Sequence, residues 1–293
     1  MTASLNPYIS QFGKEFDAGK SSQYRMAIQF ALDGLSYALL DTATQTLIAL
    51  ECRQTDEKAD SNSLFRTLER ALESKGLNNR DFQSVNCLFG NRFSTLVPES
   101  LYDENNASKY LDFTFQIPED YAIGSAKTAN AKAVDVYAFP KTLLDNSLRQ
   151  WKNVQFGHAS ASFINKVMES RRETEVCVNV RNHDFDMVIR KRGKLHFFNN
   201  FKFNTKEDFA YFLLFAMEQN GISGQDTPVV FTGFIRPDSD IIGLCNRYVK
   251  DLRIAEPPEP LRVSKTLKGV PFQYYDLLYQ ALILDNSRPK TIK

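Results

Sequence analysis

The residues able to do chemistry are few and scattered. His158, His183 and His196 lie far apart, as do Cys52, Cys87, Cys177 and Cys245. No CxxC or Cys/His pairing suggests a metal site, and the cysteines sit in stretches that read as element interiors, as small buried hydrophobes. Arg190-Lys191-Arg192-Gly193-Lys194 is a compact basic tip, followed by Phe197, Phe198, Phe201 and Phe203. Charge beside aromatic rings can hold single-stranded nucleic acid. However, Phe197, Phe201 and Phe203 share one strand face, which reads more simply as core with a solvated hairpin tip. His196, alternating with Leu195 and Phe197, reads as a solvent-facing strand histidine. No Gx₄GK[ST], HExxH or GxSxG pattern is present. A Ser/His/Asp triad assembles only in space, and nothing in the sequence points to one.

The elements that must position these residues repeat in order. Alternating Met26, Ile28, Phe30 and Leu32 predict a strand over Tyr24–Leu32, and Asp33-Gly34 a tight turn. Strands follow at Ser36–Leu40 and Thr46–Cys52, then a helix from about Ser63 to Lys75 stopped by Gly76, then a strand at Ser84–Phe89 ending at Gly90. About 150 residues later the order returns. Glu175–Val180, a strand marked by Phe185, Met187 and Ile189, and Leu195–Phe203 precede a helix capped by Thr205 with Asp208. Val229–Thr232 is a fourth strand ending at Gly233, and Pro237 opens another helix carrying Ile241, Leu244 and Cys245. The reading is α/β: two lobes, each a mixed five-stranded sheet flanked by helices and facing across a cleft. The lobes are assigned to residues 1–172, with an insertion over 92–157, and 173–270, followed by a C-terminal helix and tail over 271–293. Pro257-Pro258-Glu259-Pro260 reads as a linker, and Phe272–Leu284 as an amphipathic helix docking on a lobe.

Composition narrows the class. Thirty-six Lys+Arg against 35 Asp+Glu leave a net charge of +1, which gives no electrostatic case for nucleic acid or a membrane surface. The most apolar stretch, Met26 to Leu50, is broken by Gln29, Asp33, Asp41 and Gln45, too polar for a membrane span. The start, MTASLNPYIS, lacks the pattern of a secretory signal. A reduced, cytoplasmic protein is expected.

The duplicated order, with Ile28-Gln29-Phe30-Ala31-Leu32-Asp33-Gly34-Leu35-Ser36 at its first hairpin, resembles the ribonuclease H-like, actin-like ATPase superfamily. More narrowly, the whole chain resembles a Bacteroidetes family of uncharacterised function with an actin-like fold. It is distantly similar to the cytoplasmic actin-like proteins of type IV pilus and type II secretion systems. The resemblance implies two hairpins clamping nucleotide phosphates through glycine-exposed N–H groups, a carboxylate in each beside Mg²⁺, and a Gly-rich turn on the adenosine. Carried over, Asp33 is the metal-side carboxylate, Gly34 and Ser36 are phosphate contacts, and Gly233 marks the adenosine turn. The second clamp falls on Arg181-Asn182-His183-Asp184-Phe185-Asp186, which has no glycine. None of the 13 glycines adjoins another and no GxG occurs.

Two of the three motifs thus lack the backbone access a phosphate needs. The expectation is a non-catalytic, pseudo-ATPase scaffold with no cofactor and no metal, whose partner is another protein or a second copy. Its apolar docking surface is expected on the aromatic-rich insertion or the C-terminal helix. Two alternatives stand beside it: a weak ATP-binding protein or ATPase using Asp33-Gly34 with Mg²⁺, and a nucleic-acid-associated factor working through the 190–194 tip.

Overall fold

Strand alternation and helix stripes along the chain resolve into two units that share one topology. The computed structural model describes residues 8–31, 34–54, 60–128 and 131–283. Of the described residues, one unit comprises 8–162, 260–270 and 277–283, and the other 163–259 and 271–276.

In the first unit, β1 (Ile9–Phe12) precedes a meander of β2 (Tyr24–Ala31), β3 (Gly34–Asp41) and β4 (Thr46–Gln54). Helix α1 (Ser61–Glu73) then leads to β5 (Ser84–Gly90). Asp60 caps α1 by accepting from the Ser63 N–H, and Gly76, at φ +68°, follows the helix end. Next come β6 (Ser94–Pro98), α2 (Ala107–Asp112), β7 (Tyr121–Thr128), β8 (Ala133–Pro140), α3 (Lys141–Gln150) and β9 (Val154–His158). The main sheet runs β1-β4-β3-β2-β5-β9, while β6-β8-β7 form a separate three-stranded sheet. The core between the main sheet and its helices is aromatic: Phe89 stacks on Phe139 at 4.2 Å between centroids, with Phe30 and Phe156 alongside.

Helix α4 (Ala159–Met168) leads into the second unit. There β10 (Glu175–Val180), β11 (Asp184–Lys191), β12 (Lys194–Lys202), α5 (Lys206–Gln219), β13 (Val229–Gly233), α6 (Asp240–Cys245) and β14 (Leu252–Ile254) follow in order. The sheet runs β12-β11-β10-β13-β14. Thr205 and Asp208 form the expected capping box at α5. Finally β15 (Arg262–Val263) pairs with β4, and α7 (Asp276–Ile283) ends the described chain.

Each main sheet therefore has its first three strands antiparallel, with two parallel strands added beside the first. Register agrees as well: Ala31 pairs with Gly90 in one, Val180 with Gly233 in the other. The duplicated reading holds, with three corrections. Among the described residues the first sheet has seven strands, not five, because β1 and β15 extend its β4 edge. Helix α6 starts after Ser239, whose hydroxyl accepts from the Ile242 N–H, and not at Pro237. Phe272–Leu284 is not one helix, since a 3-10 turn over Phe272–Tyr274 precedes α7.

Candidate functional site

Of the residues expected at the first clamp, Asp33 lies outside the described residues. Gly34 opens β3, and its rung with Ala31 closes the β2–β3 ladder. Ser36 is buried between Gln29 and Cys52, and its hydroxyl bonds the Cys52 thiol. Gly34 and Ser36 belong to the first unit, and Gly233 to the second.

The second clamp position is built differently. Counted from the rung that faces the fourth strand, Val180 pairs with Phe185, whereas Ala31 pairs with Gly34, so the β10–β11 hairpin is longer by one rung. That rung holds Arg181, whose N–H donates to the Asp184 carbonyl at 2.9 Å. The Arg181 side chain is buried, and its guanidinium is consumed by carboxylates. Nε donates to Asp184, while the two terminal nitrogens take both oxygens of Asp186, at 2.5 and 2.8 Å. Asn200 also donates to Asp186, at 3.0 Å. Burial alone would pull the Arg181 pKa down, but Asp184 and Asp186 together outweigh it and raise it. The hairpin thus carries its own cation. With its donors held by two carboxylates, this guanidinium is not free to meet a phosphate.

Gly233 has a structural reason to be glycine. Its φ is +83°, and a Cβ there would stand 2.2 Å from the Val180 carbonyl oxygen. The next residue, Phe234, donates its N–H to that same oxygen at 2.8 Å.

The structure also assembles a cluster that the sequence left open. In the first unit, the buried Asp135 accepts from Ser94 Oγ on one oxygen and from Ser160 Oγ, at 2.7 Å, on the other. Ser160 Oγ lies 2.5 Å from His158 Nδ1, and the Asn91 N–H donates to His158 Nε2 at 3.4 Å. A backbone N–H faces each ring nitrogen, Asn91 at Nε2 and Ser160 at Nδ1, and the spatial order is Asp–Ser–His. A hydrolytic triad needs histidine between carboxylate and serine, so that Nε2 can take the hydroxyl proton. Here Ser160 Oγ donates to Asp135 directly and the serine, not the histidine, stands in the middle. The arrangement satisfies buried polar groups. Asp135→Ala is expected to destabilise the protein by about 2–3 kcal/mol, because two hydroxyl donors lose their acceptor. Urea denaturation measures this, and a loss under about 0.5 kcal/mol would show that the serines do not depend on Asp135.

The remaining candidates are structural. In the second unit, Gly193 N–H and Lys191 Nζ bond the carbonyls of Glu173 and Asn220, and Arg190 bonds that of Arg172. Phe203 is buried, and Phe197 and Phe201 pack on the second unit's core as expected, but the tip is not wholly solvated, since Arg190 is buried and Lys191 half-buried. His196 is exposed, as expected. All four cysteines are free and buried. Burial pushes the thiols of Cys52 and Cys245 up to about 11 and about 12, which keeps them protonated and unreactive. Among the described residues no group of three or more His, Cys, Asp and Glu could hold a metal ion.

With this geometry, the chain belongs to the family described as protein of unknown function DUF3822, whose model matches residues 13–252. A comparison with curated proteins finds no match. Among solved structures it is similar to a Bacteroides thetaiotaomicron protein with an actin-like ATPase fold and unknown function, at TM-score 0.78 and 18% identity, covering 92% of this chain and 99% of that one. It is also similar to the PilM–PilN type IV pilus biogenesis complex, at TM-score 0.60 and 10% identity, covering 88% and 97%. The cytoplasmic domain of EpsL, an inner-membrane component of the Vibrio cholerae type II secretion system, aligns at TM-score 0.48 and 14% identity, covering 88% and 94%. The fold is that of the actin-like ATPases.

Proposed function

We propose that the protein is a non-catalytic actin-like scaffold that engages a protein partner or a second copy and does not run on nucleotide. The observation that carries this reading is Arg181, held by Asp184 and Asp186 at the hairpin where a second phosphate clamp is expected. A clamp works by offering unspent N–H donors to anionic oxygens. Here the Arg181 donors are spent on carboxylates and the hairpin has no glycine. The positive φ and close packing at Gly233 give that glycine a role without any ligand. The PilM–PilN likeness supports partner binding by analogy of fold alone. A cytoplasmic setting fits four free, buried thiols, and no described helix is long and apolar enough to cross a membrane.

Millimolar ATP with Mg²⁺ is therefore expected to stabilise the protein barely at all. At a ligand concentration equal to a Kd of ~1 mM the gain is about 0.4 kcal/mol. That moves Tm by roughly 1–2 °C at most. Calorimetric titration and thermal shift, with Asp33→Ala as control, measure this. Low-micromolar binding abolished by Asp33→Ala would hand the protein to the ATP-binding alternative.

A further inference from the structure

The insertion carries an edge strand with an open groove beside it. Among the described residues strand β6 pairs only with β8, which leaves its other side as a sheet edge. The Ala138 N–H bonds the Phe93 carbonyl and the Glu99 N–H bonds the Lys132 carbonyl. In an antiparallel ladder, bonding residues alternate, so Thr95 and Val97 face β8 and the N–H and C=O of Leu96 point outward. Among the described residues nothing pairs with them. A groove of about 590 Å³ runs between this edge and α2, lined by Thr95, Val97, Pro98, Lys109, Tyr110 and Phe113 among others. Phe113 is 95% exposed, and Leu101 in the same insertion is 69% exposed. The C-terminal segment, the other place expected to leave apolar surface, instead buries Phe272, Tyr275, Leu277 and Leu278.

We propose that this groove takes an extended peptide of a protein partner, added as a strand on β6, with apolar side chains at alternate positions and a carboxylate opposite Lys109. The inference rests on reading the chain as an interaction module and names the partner's chemistry. Three features fix the occupant. The outward Leu96 groups supply main-chain bonds to an added strand. Val97, Tyr110 and Phe113 supply apolar contacts for the side chains that point into the groove. Lys109 is the one charged residue in the lining, so the groove is complementary to an acidic residue flanked by apolar ones. A second copy of the chain fits less well, because pairing β6 with itself would bring two lysines to an edge whose lining offers no carboxylate. Pro98, with no N–H, limits the addition to a short strand of about five residues, the length of β6.

The test selects a displayed library of random 12-residue peptides on the full chain, then measures the recovered peptide by fluorescence polarisation. Recovered sequences are expected to share an apolar–x–apolar pattern with an acidic residue. Phe113→Asp and Lys109→Glu, both at exposed positions, should each weaken binding at least tenfold while leaving the thermal transition in place. A peptide with its carboxylate changed to lysine should bind Lys109→Glu better than the original chain. Amide exchange at Leu96 should slow at least tenfold on binding. Failure to recover any peptide, binding indifferent to both substitutions, or unchanged exchange at Leu96 would overturn the site. So would a dimer that Phe113→Asp dissociates, since the groove would then belong to a second copy. Peptides bound elsewhere sink this inference and leave the interaction reading standing; tight ATP·Mg²⁺ binding sinks that reading whatever the peptides do.

Discussion

Replacing Arg181 by methionine is expected to destabilise the second unit by about 3–5 kcal/mol, the usual loss when one partner of a buried ion pair is removed. The magnitude follows from what is left behind. Asp186 is 3% exposed and loses both guanidinium bonds, keeping Asn200 at 3.0 Å and a long contact to Asn179 at 3.4 Å. Two neutral amides compensate a buried carboxylate poorly. Asp184 is more exposed and recovers part of its solvation. Arg181→Lys keeps the charge but has no planar fork for two oxygens, so an intermediate loss is expected. Arg181→Met combined with Asp186→Leu should recover most of the stability, because removing both charges removes the desolvation penalty as well. The raised Arg181 pKa adds no window of pH sensitivity in the ordinary range. Its contribution is complete below the ordinary arginine value and fades only as pH climbs through the higher folded value. Hydrogen exchange at Val178, Val180 and Met187 reads the second unit directly, which matters because a two-unit chain need not unfold in one step. A loss below about 1 kcal/mol in Arg181→Met would mean the guanidinium is not the cation that holds this hairpin.

How far the sequence shows this hairpin illustrates the wider pattern. The absence of glycine is visible at once. The ion pair is less so, because Arg181, Asp184 and Asp186 meet only once the hairpin has its longer turn. The signal was available: a hairpin brings opposite charges at i and i+3 or i+5 onto facing strands. Long periodic elements were legible, among them β10 at its observed bounds and the Thr205–Asp208 box at α5, since period and capping are local chemistry. Strands β1, β6 and β15 were not. They are two to five residues long, and only their distant partners define them. The same holds for β9, which apart from His158 lies within the stretch read as an insertion yet pairs with β5 to complete the common order. The Asp135–Ser160–His158 cluster joins residues from β8, the start of α4 and the end of β9, so no spacing rule reaches it.

Gly233→Ala is expected to cost about 3–5 kcal/mol in the absence of any ligand. Two terms add. A side chain at φ +83° occupies the left-handed side of conformational space, worth roughly 1–2 kcal/mol for a residue with a Cβ. The added methyl would also stand 2.2 Å from the Val180 carbonyl oxygen, 2.8 Å from its nitrogen and 2.7 Å from Asn179 Oδ1. Two of these neighbours are backbone, and the carbonyl accepts the Phe234 N–H at 2.8 Å, so relief means loosening the end of the β10–β13 ladder. The equivalent rung of the other unit supplies the control. Gly90 faces Ala31 as Gly233 faces Val180, yet a Cβ there would meet nothing nearer than 3.6 Å. Gly90→Ala should change stability by less than about 1 kcal/mol. Gly243, inside α6 with nothing within 4 Å, should gain about 0.5–1 kcal/mol as alanine, since helical glycine is the costlier residue. Denaturant midpoints of the three single variants test the ranking. A glycine kept for an adenosine would leave the ligand-free protein unmoved in Gly233→Ala, and that result would restore the nucleotide turn. A large loss without nucleotide, confined to Gly233, ties the residue to strand closure, because the methyl has no room between two ends of a ladder that the fold itself brings together.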